Sequence, residues 1–125
     1  MAAEKLNVAK LDEASFARIA PAFYLLVGFA IELSLKAFIL QSTGDQKRIE
    51  GLGHDLVRLE SDAQAVGFQA NCPLMESLVA TMANHHRTHV FRYPPDAAVL
   101  DVPAPEHVIP VLGAHLKQMR KCIHL

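Results

Sequence analysis

The sequence has no tryptophan, two tyrosines and only two cysteines, Cys72 and Cys122. Two isolated thiols supply neither a disulfide framework nor a spaced pair of zinc ligands, which excludes the small stapled folds. Charge of one sign is also missing. Twelve Lys and Arg stand against thirteen Asp and Glu, for a formal net charge of −1. No global positive field draws the chain to nucleic acid or to an acidic membrane, so any such binding must come from a local patch. A phosphate-cradling glycine loop is absent, because Gly51-Leu52-Gly53 lacks a third glycine and a preceding strand. No nucleophile elbow is present, and Cys72 beside Pro73 reads as a helix start. The apolar run from Ile19 to Ile31 stops at Glu32, with Lys36 one turn later. That is short of the roughly 20 residues of a membrane span, so no membrane association is expected. Residues 1–11 are mixed and charged, unlike a secretory leader, and a reducing cytoplasm is the expected compartment.

What the chain does have is apolar content: 51% of its 125 residues are hydrophobic. This is enough to bury the core of one domain, expected to span residues 1–125, without a metal or disulfide. The pattern is helical throughout. Asp12 can cap a helix that carries apolar residues from Phe16 to Leu40, with Pro21 placed to kink or split it near its start. Because this helix is apolar all round, it is expected at the middle of a bundle with neighbours on every side. Residues 41–53 read as a loop, rich in glycine and charge. A second helix begins near His54, carries Leu56, Leu59, Ala63 and Val66, and stops at Gly67. A third opens at Asn71-Cys72-Pro73 with a stripe of Leu74, Leu78, Val79 and Met82, and ends before Pro94-Pro95. After a proline-bearing linker, the last helix carries Val108, Ile109, Leu112, Leu116, Met119 and Ile123, with Pro110 bending it or marking its first turn. The fold class is therefore all-α, an antiparallel up-and-down helical bundle of four to five helices.

Three places can carry chemistry. Glu32 and Lys36 have the order and spacing of an intrahelical ion pair inside the most apolar helix, and both are costly to bury alone. They orient the bundle or belong to a site. His54-Asp55 opens the second helix, where Asp55 suits a cap and can also fix the tautomer of a neighbouring imidazole. The densest stretch is Asn84 to Pro94, NHHRTHVFRYP. Continuing the stripe of Leu78 and Met82 brings His85 or His86, and then His89, toward the interior or a dimer seam. His85 and His89 have one-turn spacing, but the zinc-protease pattern is missing, and neither metal nor cofactor is expected. Arg92 can clamp a phosphate and Tyr93 can stack on a base; alternatively Arg92 pairs with Asp96 and Tyr93 covers the core.

Taken together, Glu32-Leu-Ser-Leu-Lys36-Ala-Phe, Gly53-His54-Asp55-Leu56 and Phe91-Arg92-Tyr93-Pro94 resemble the HEPN superfamily of small helical-bundle proteins, in the right order and over roughly residues 20–96. The resemblance implies a bundle that dimerises, with a cleft at the dimer seam associated with nucleotides or RNA. It also implies a setting in toxin–antitoxin or defence systems, beside a nucleotidyltransferase-type partner in some cases. The ribonuclease members use an Arg followed after four to six residues by a His, and that motif is not matched here. Arg87, His89 and Arg92 are the candidate catalytic residues, acting as acid or base and as stabilisers of a phosphorane-like charge. Glu32, Lys36, His54, Asp55, His86 and Tyr93 are the candidate ligand-binding residues. A non-catalytic, dimeric protein-interaction domain is the alternative.

Overall fold

The computed structural model describes residues 13–87 and 104–123, with side chains described for 18–83, 86 and 104–123. Its longest element is α1, Glu13–Thr43. Pro21 lies inside this helix without ending it. The split that this proline could have made does not occur: the helix continues through it, giving up the one backbone bond that Pro21 cannot donate. One face of α1 buries Tyr24, Val27, Ile31, Leu35 and Ile39, a spacing of three and four that keeps them on one stripe.

The helix stops at Gly44, whose φ of 66° is a left-handed conformation favouring glycine. Its N–H bonds the Leu40 carbonyl at 2.7 Å. The stretch 41–53 is not all loop, because α2, Gln46–Leu52, forms within it. Its cap is Asp45, whose carboxylate accepts the Arg48 N–H at 3.1 Å. Glycine and charge concealed this turn of helix; the capping aspartate was its signal. Asp55 caps α3, Leu56–Ala65, in the same way through the Arg58 N–H at 3.2 Å. Arg48 then binds both oxygens of Asp62, at 2.8 and 2.7 Å, and clamps α2 to α3.

After Gly67 the chain turns into α4, Leu74–Arg87, and later α5, Pro105–Cys122, with proline in its first turn and Pro110 inside. The molecule is an all-α, up-and-down bundle, with five helices and no strand among the described residues. Helix α1 packs against the other four, while α4 also meets α3 and α5. The buried stripe of α4 is Met75, Leu78, Val79, Met82 and His86, and that of α5 is Val108, Val111, His115, Met119 and Ile123. Leu74, Ile109 and Leu116, expected in these stripes, are exposed instead. The rest of each expected stripe is buried or packed on the core, and a histidine shares the buried face in each helix.

The expectation that α1 has neighbours on every side also fails. Ile19, Leu26, Leu33 and Leu40 are exposed, Leu26 by 69% and Leu33 by 63%. These four residues recur every seven positions and form a second apolar stripe, away from the core. Among the described residues, the four other helices leave this face of α1 open. Over Arg18–Thr43 its mean hydropathy is 1.9, long and apolar enough by length and composition to cross a membrane, so the apolar character does not end at Ile31.

Helix α3 buries a carboxyl, Glu60, at 8% exposure. Burial, and then the negative charge of Glu76, push its pKa up to about 7 from 4.5. The folded state thus holds the proton more tightly than the unfolded chain. The stability gained from this is full below pH 4.5 and declines as pH rises toward 7. Glu60→Gln should leave stability near pH 4.5 almost unchanged and raise it at pH 8, on the order of 1–3 kcal/mol. Denaturant unfolding at the two pH values measures this; an equal effect at both would refute the assignment.

Candidate functional site

Within the buried stripe of α1, one position is not apolar. Glu32 lies at 3% exposure between Ile31 and the exposed Leu33. An isolated carboxylate in such surroundings costs several kcal/mol to desolvate, so its partners decide whether it can stay charged. Three are present. Lys36, one turn along α1, donates to Oε2 at 2.9 Å. His54 donates from Nδ1 to Oε1 and Oε2 at 2.9 and 3.0 Å. His86 of α4 donates from Nε2 to Oε1 at 2.7 Å. Burial pushes the carboxyl up, but the donors His86, Lys36 and His54, with the Lys36 charge, outweigh it and hold the pKa at about 2.

A carboxylate only accepts, so both contacting ring nitrogens carry their hydrogens. This fixes the tautomers: the lone pair of neutral His54 lies on Nε2 and that of neutral His86 on Nδ1. The cluster has depth. Side-chain exposure is 2% for His86 and 4% for Glu32, against 20% for Lys36 and 47% for His54. A carboxylate and an imidazole form the floor, and an ammonium and an imidazole form the rim. Phe29 meets the His86 ring edge-on, with centroids 5.0 Å apart.

The closeness of α4 to α1 depends on Gly28, one turn before Glu32. A β-carbon built there would lie 2.3 Å from His86 Nδ1 and 2.9 Å from its Cγ. Only glycine admits the ring. Nδ1 itself is buried and has no hydrogen-bond partner among the described residues.

The structure thus gathers Glu32, Lys36, His54 and His86, which lie in three separate stretches of sequence, at one carboxylate. Asp55 does not join them. It caps α3, and the group orienting His54 is Glu32 rather than its sequence neighbour. Arg87 is the last residue of α4, and its side chain lies outside the described residues, as does that of His85. His89, Arg92, Tyr93 and Asp96 also lie outside the described residues. Glu32, His54 and His86 each offer a metal-ligating atom, and these atoms all lie within 4.8 Å of one another.

Three residues of interest escaped sequence reasoning: Gly28, Ser34 and His115. The Ser34 hydroxyl donates to the Ile31 carbonyl at 2.9 Å, so its oxygen accepts Nε2–H of His115 at 2.7 Å. Burial lowers the His115 pKa to about 4 and keeps the ring neutral. The available signal was a histidine four residues from both Val111 and Met119 and seven from Val108, on the α5 stripe. For Gly28, it was a glycine inside a long helix, where it costs about 1 kcal/mol relative to alanine.

Comparison with known protein families, with curated proteins and with solved structures finds no match to this chain.

Gly28→Ala should destabilise the fold by about 2–5 kcal/mol despite alanine's better helix propensity, because it drives His86 off the buried carboxylate. Adding His86→Ala removes the clash, so the double variant should be less destabilised than the sum of the singles. Additive unfolding energies would show that Gly28 does not seat the ring.

Proposed function

We propose that this chain is a HEPN-like module that binds the phosphate-bearing part of a nucleotide or RNA at the Glu32 cluster and acts as a homodimer. The observation carrying this reading is the convergence of Glu32, Lys36 and His54, from two of the three segments that resemble HEPN proteins, on one carboxylate with His86. Helix α4 supplies His86 and runs directly into the sequence of Arg87, His89, Arg92 and Tyr93. The rim presents the Lys36 ammonium, a cation that suits an anion. Arg87 and Arg92 would add the fixed charges that the near-neutral chain otherwise lacks, and Tyr93 would stack on a base.

Chemically, Glu32 does for His54 what a buried carboxylate does for a catalytic imidazole: it fixes the tautomer and stabilises a ring that takes up a proton. With an arginine holding the phosphate, this is the equipment for acid–base attack by a ribose 2′-hydroxyl. The module fits a toxin–antitoxin or defence setting beside a nucleotidyltransferase-type partner.

The exposed stripe Ile19, Leu26, Leu33 and Leu40 favours the second reading, a non-catalytic dimeric interaction domain, and also supplies the seam of the first. With Leu116 of α5 alongside, this face runs roughly 30 Å by two helix widths, about the scale of a standard interface of ~800 Å² per partner.

Incubation with a mixed RNA pool and with ATP, in the presence of a chelator, tests the ligand. Retained RNA and a raised melting temperature are expected, and both should diminish in His54→Ala and in an Arg92→Ala, His89→Ala variant. Cleavage by the native chain alone would make it a metal-independent ribonuclease. Neither binding nor cleavage would leave the interaction domain as the function.

Sedimentation tests the seam. The native chain should have dimer mass, and Leu26→Glu with Leu33→Glu should give a folded monomer. A native monomer would remove this face as a dimer interface.

A further inference from the structure

We infer that Glu32, His54 and His86 form a binding site for a zinc-class divalent ion, with Lys36 limiting its affinity. The inference rests on the geometry of the cluster and not on nucleotide binding. One carboxylate and two imidazoles make a donor set for zinc, cobalt or iron(II), with too much nitrogen for calcium or magnesium. The three ligands come from α1, the turn before α3, and α4, so the fold brings them together before any ion arrives.

Bonds of about 2.0–2.1 Å to a tetrahedral ion place neighbouring ligand atoms roughly 3.3 Å apart. The present separations from Glu32 Oε1 are 2.9 Å to His54 Nδ1 and 2.7 Å to His86 Nε2, and all three ligand atoms lie within 4.8 Å of one another. Each ring nitrogen needs to part from Oε1 by about half an ångström, and the two nitrogens, within 4.8 Å of each other, need to close to roughly 3.3 Å as an ion replaces two ring hydrogens. Each ring stays neutral by moving its hydrogen to the other nitrogen, Nε2 of His54 and Nδ1 of His86. Glu32 binds through Oε1, while Lys36 remains on Oε2 and holds the carboxylate in place. Three protein ligands leave a tetrahedral ion one further position, and the half-exposed His54 makes the site reachable from outside. Three protein ligands and an open position make a site that can hold water or a phosphate oxygen.

Two features hold the affinity below that of a dedicated zinc site. The Lys36 ammonium, 2.9 Å from Oε2, repels a cation on Oε1. Nδ1 of His86 would carry a hydrogen in a buried place with no partner among the described residues. The first of these separates a metal site from a hydrogen-bonded brace. A brace loses a donor when Lys36 is replaced and gains nothing. A metal site loses a like charge and binds its ion more tightly.

The experiment is titration of chelator-stripped full chain with cobalt(II), followed by visible absorption, and then competition with zinc, all without nucleotide. One equivalent per chain should give the intense bands of low-coordinate cobalt. His54→Ala, which removes a half-exposed ligand and leaves the core intact, should weaken binding at least about tenfold. Lys36→Gln should strengthen it. Failure of the native chain to bind one equivalent, equal binding by His54→Ala, or weaker binding by Lys36→Gln would each overturn the inference. Since the RNA and ATP assays contain chelator, their outcome is independent of this one.

Discussion

The fold is organised around one electrostatic constraint: a carboxylate buried in the most apolar helix must be kept charged without water. Glu32 can sit at 3% exposure only because α1, α4 and the turn before α3 each deliver a donor to it. Removing one partner would leave the others to support a buried charge, so the elements are bound together by more than apolar contact. The apolar stripes of α3, α4 and α5 tolerate small shifts of phase or depth. The hydrogen bonds at Glu32 do not, and they fix how α4 lies on α1. Gly28 belongs to the same constraint, since the space for His86 exists only where a side chain is missing.

A second constraint is one of supply. Helix α1 carries two apolar stripes, and its four neighbours cover one of them. Among the described residues no further helix covers Leu26 and Leu33, and an apolar face this long on a monomer is uncommon. The polar cluster and the uncovered stripe therefore pull α1 in different directions. One ties it to its own chain, while the other leaves it suited to an outside partner. The same helix is thus the strongest candidate for both core and seam.

Much of the bundle was legible because the relevant physics is local. The cap at Asp55, the stop at Gly67 and the apolar periods each involve residues within one or two turns, whereas the Gly44 stop and the Asp45 cap of α2 were hidden in a stretch that reads as loop. What failed was confined to single positions: Leu74, Ile109 and Leu116 are exposed and His115 is buried, while the interior place on α4 was left open between His85 and His86. Glu32, Lys36, His54 and His86 were each singled out from sequence, and the Glu32–Lys36 pair was visible from its spacing. Their meeting was not, because His54 had a nearer carboxylate in Asp55 and His86 a nearer metal-ligand pattern in His85 and His89. Only packing joins one helix to another, and the single local trace of it was the glycine at 28.

The sequence separations within the Glu32 cluster also bear on the route to the native state. The carboxylate's partners lie 4, 22 and 54 residues away along the chain. Lys36 meets it as soon as one turn of helix forms. His54 requires a short loop to close, and closing the longer one to His86 costs about 0.8 kcal/mol more in chain entropy. Because dehydrating the charge is unfavourable until the last donor is in place, water is expelled from this spot late. The pairing of α2 with α3 through Arg48 and Asp62, 14 residues apart, has no such wait. On loop-closure cost alone, the local helical pair is the cheaper contact to form and the polar lock at Glu32 the dearer.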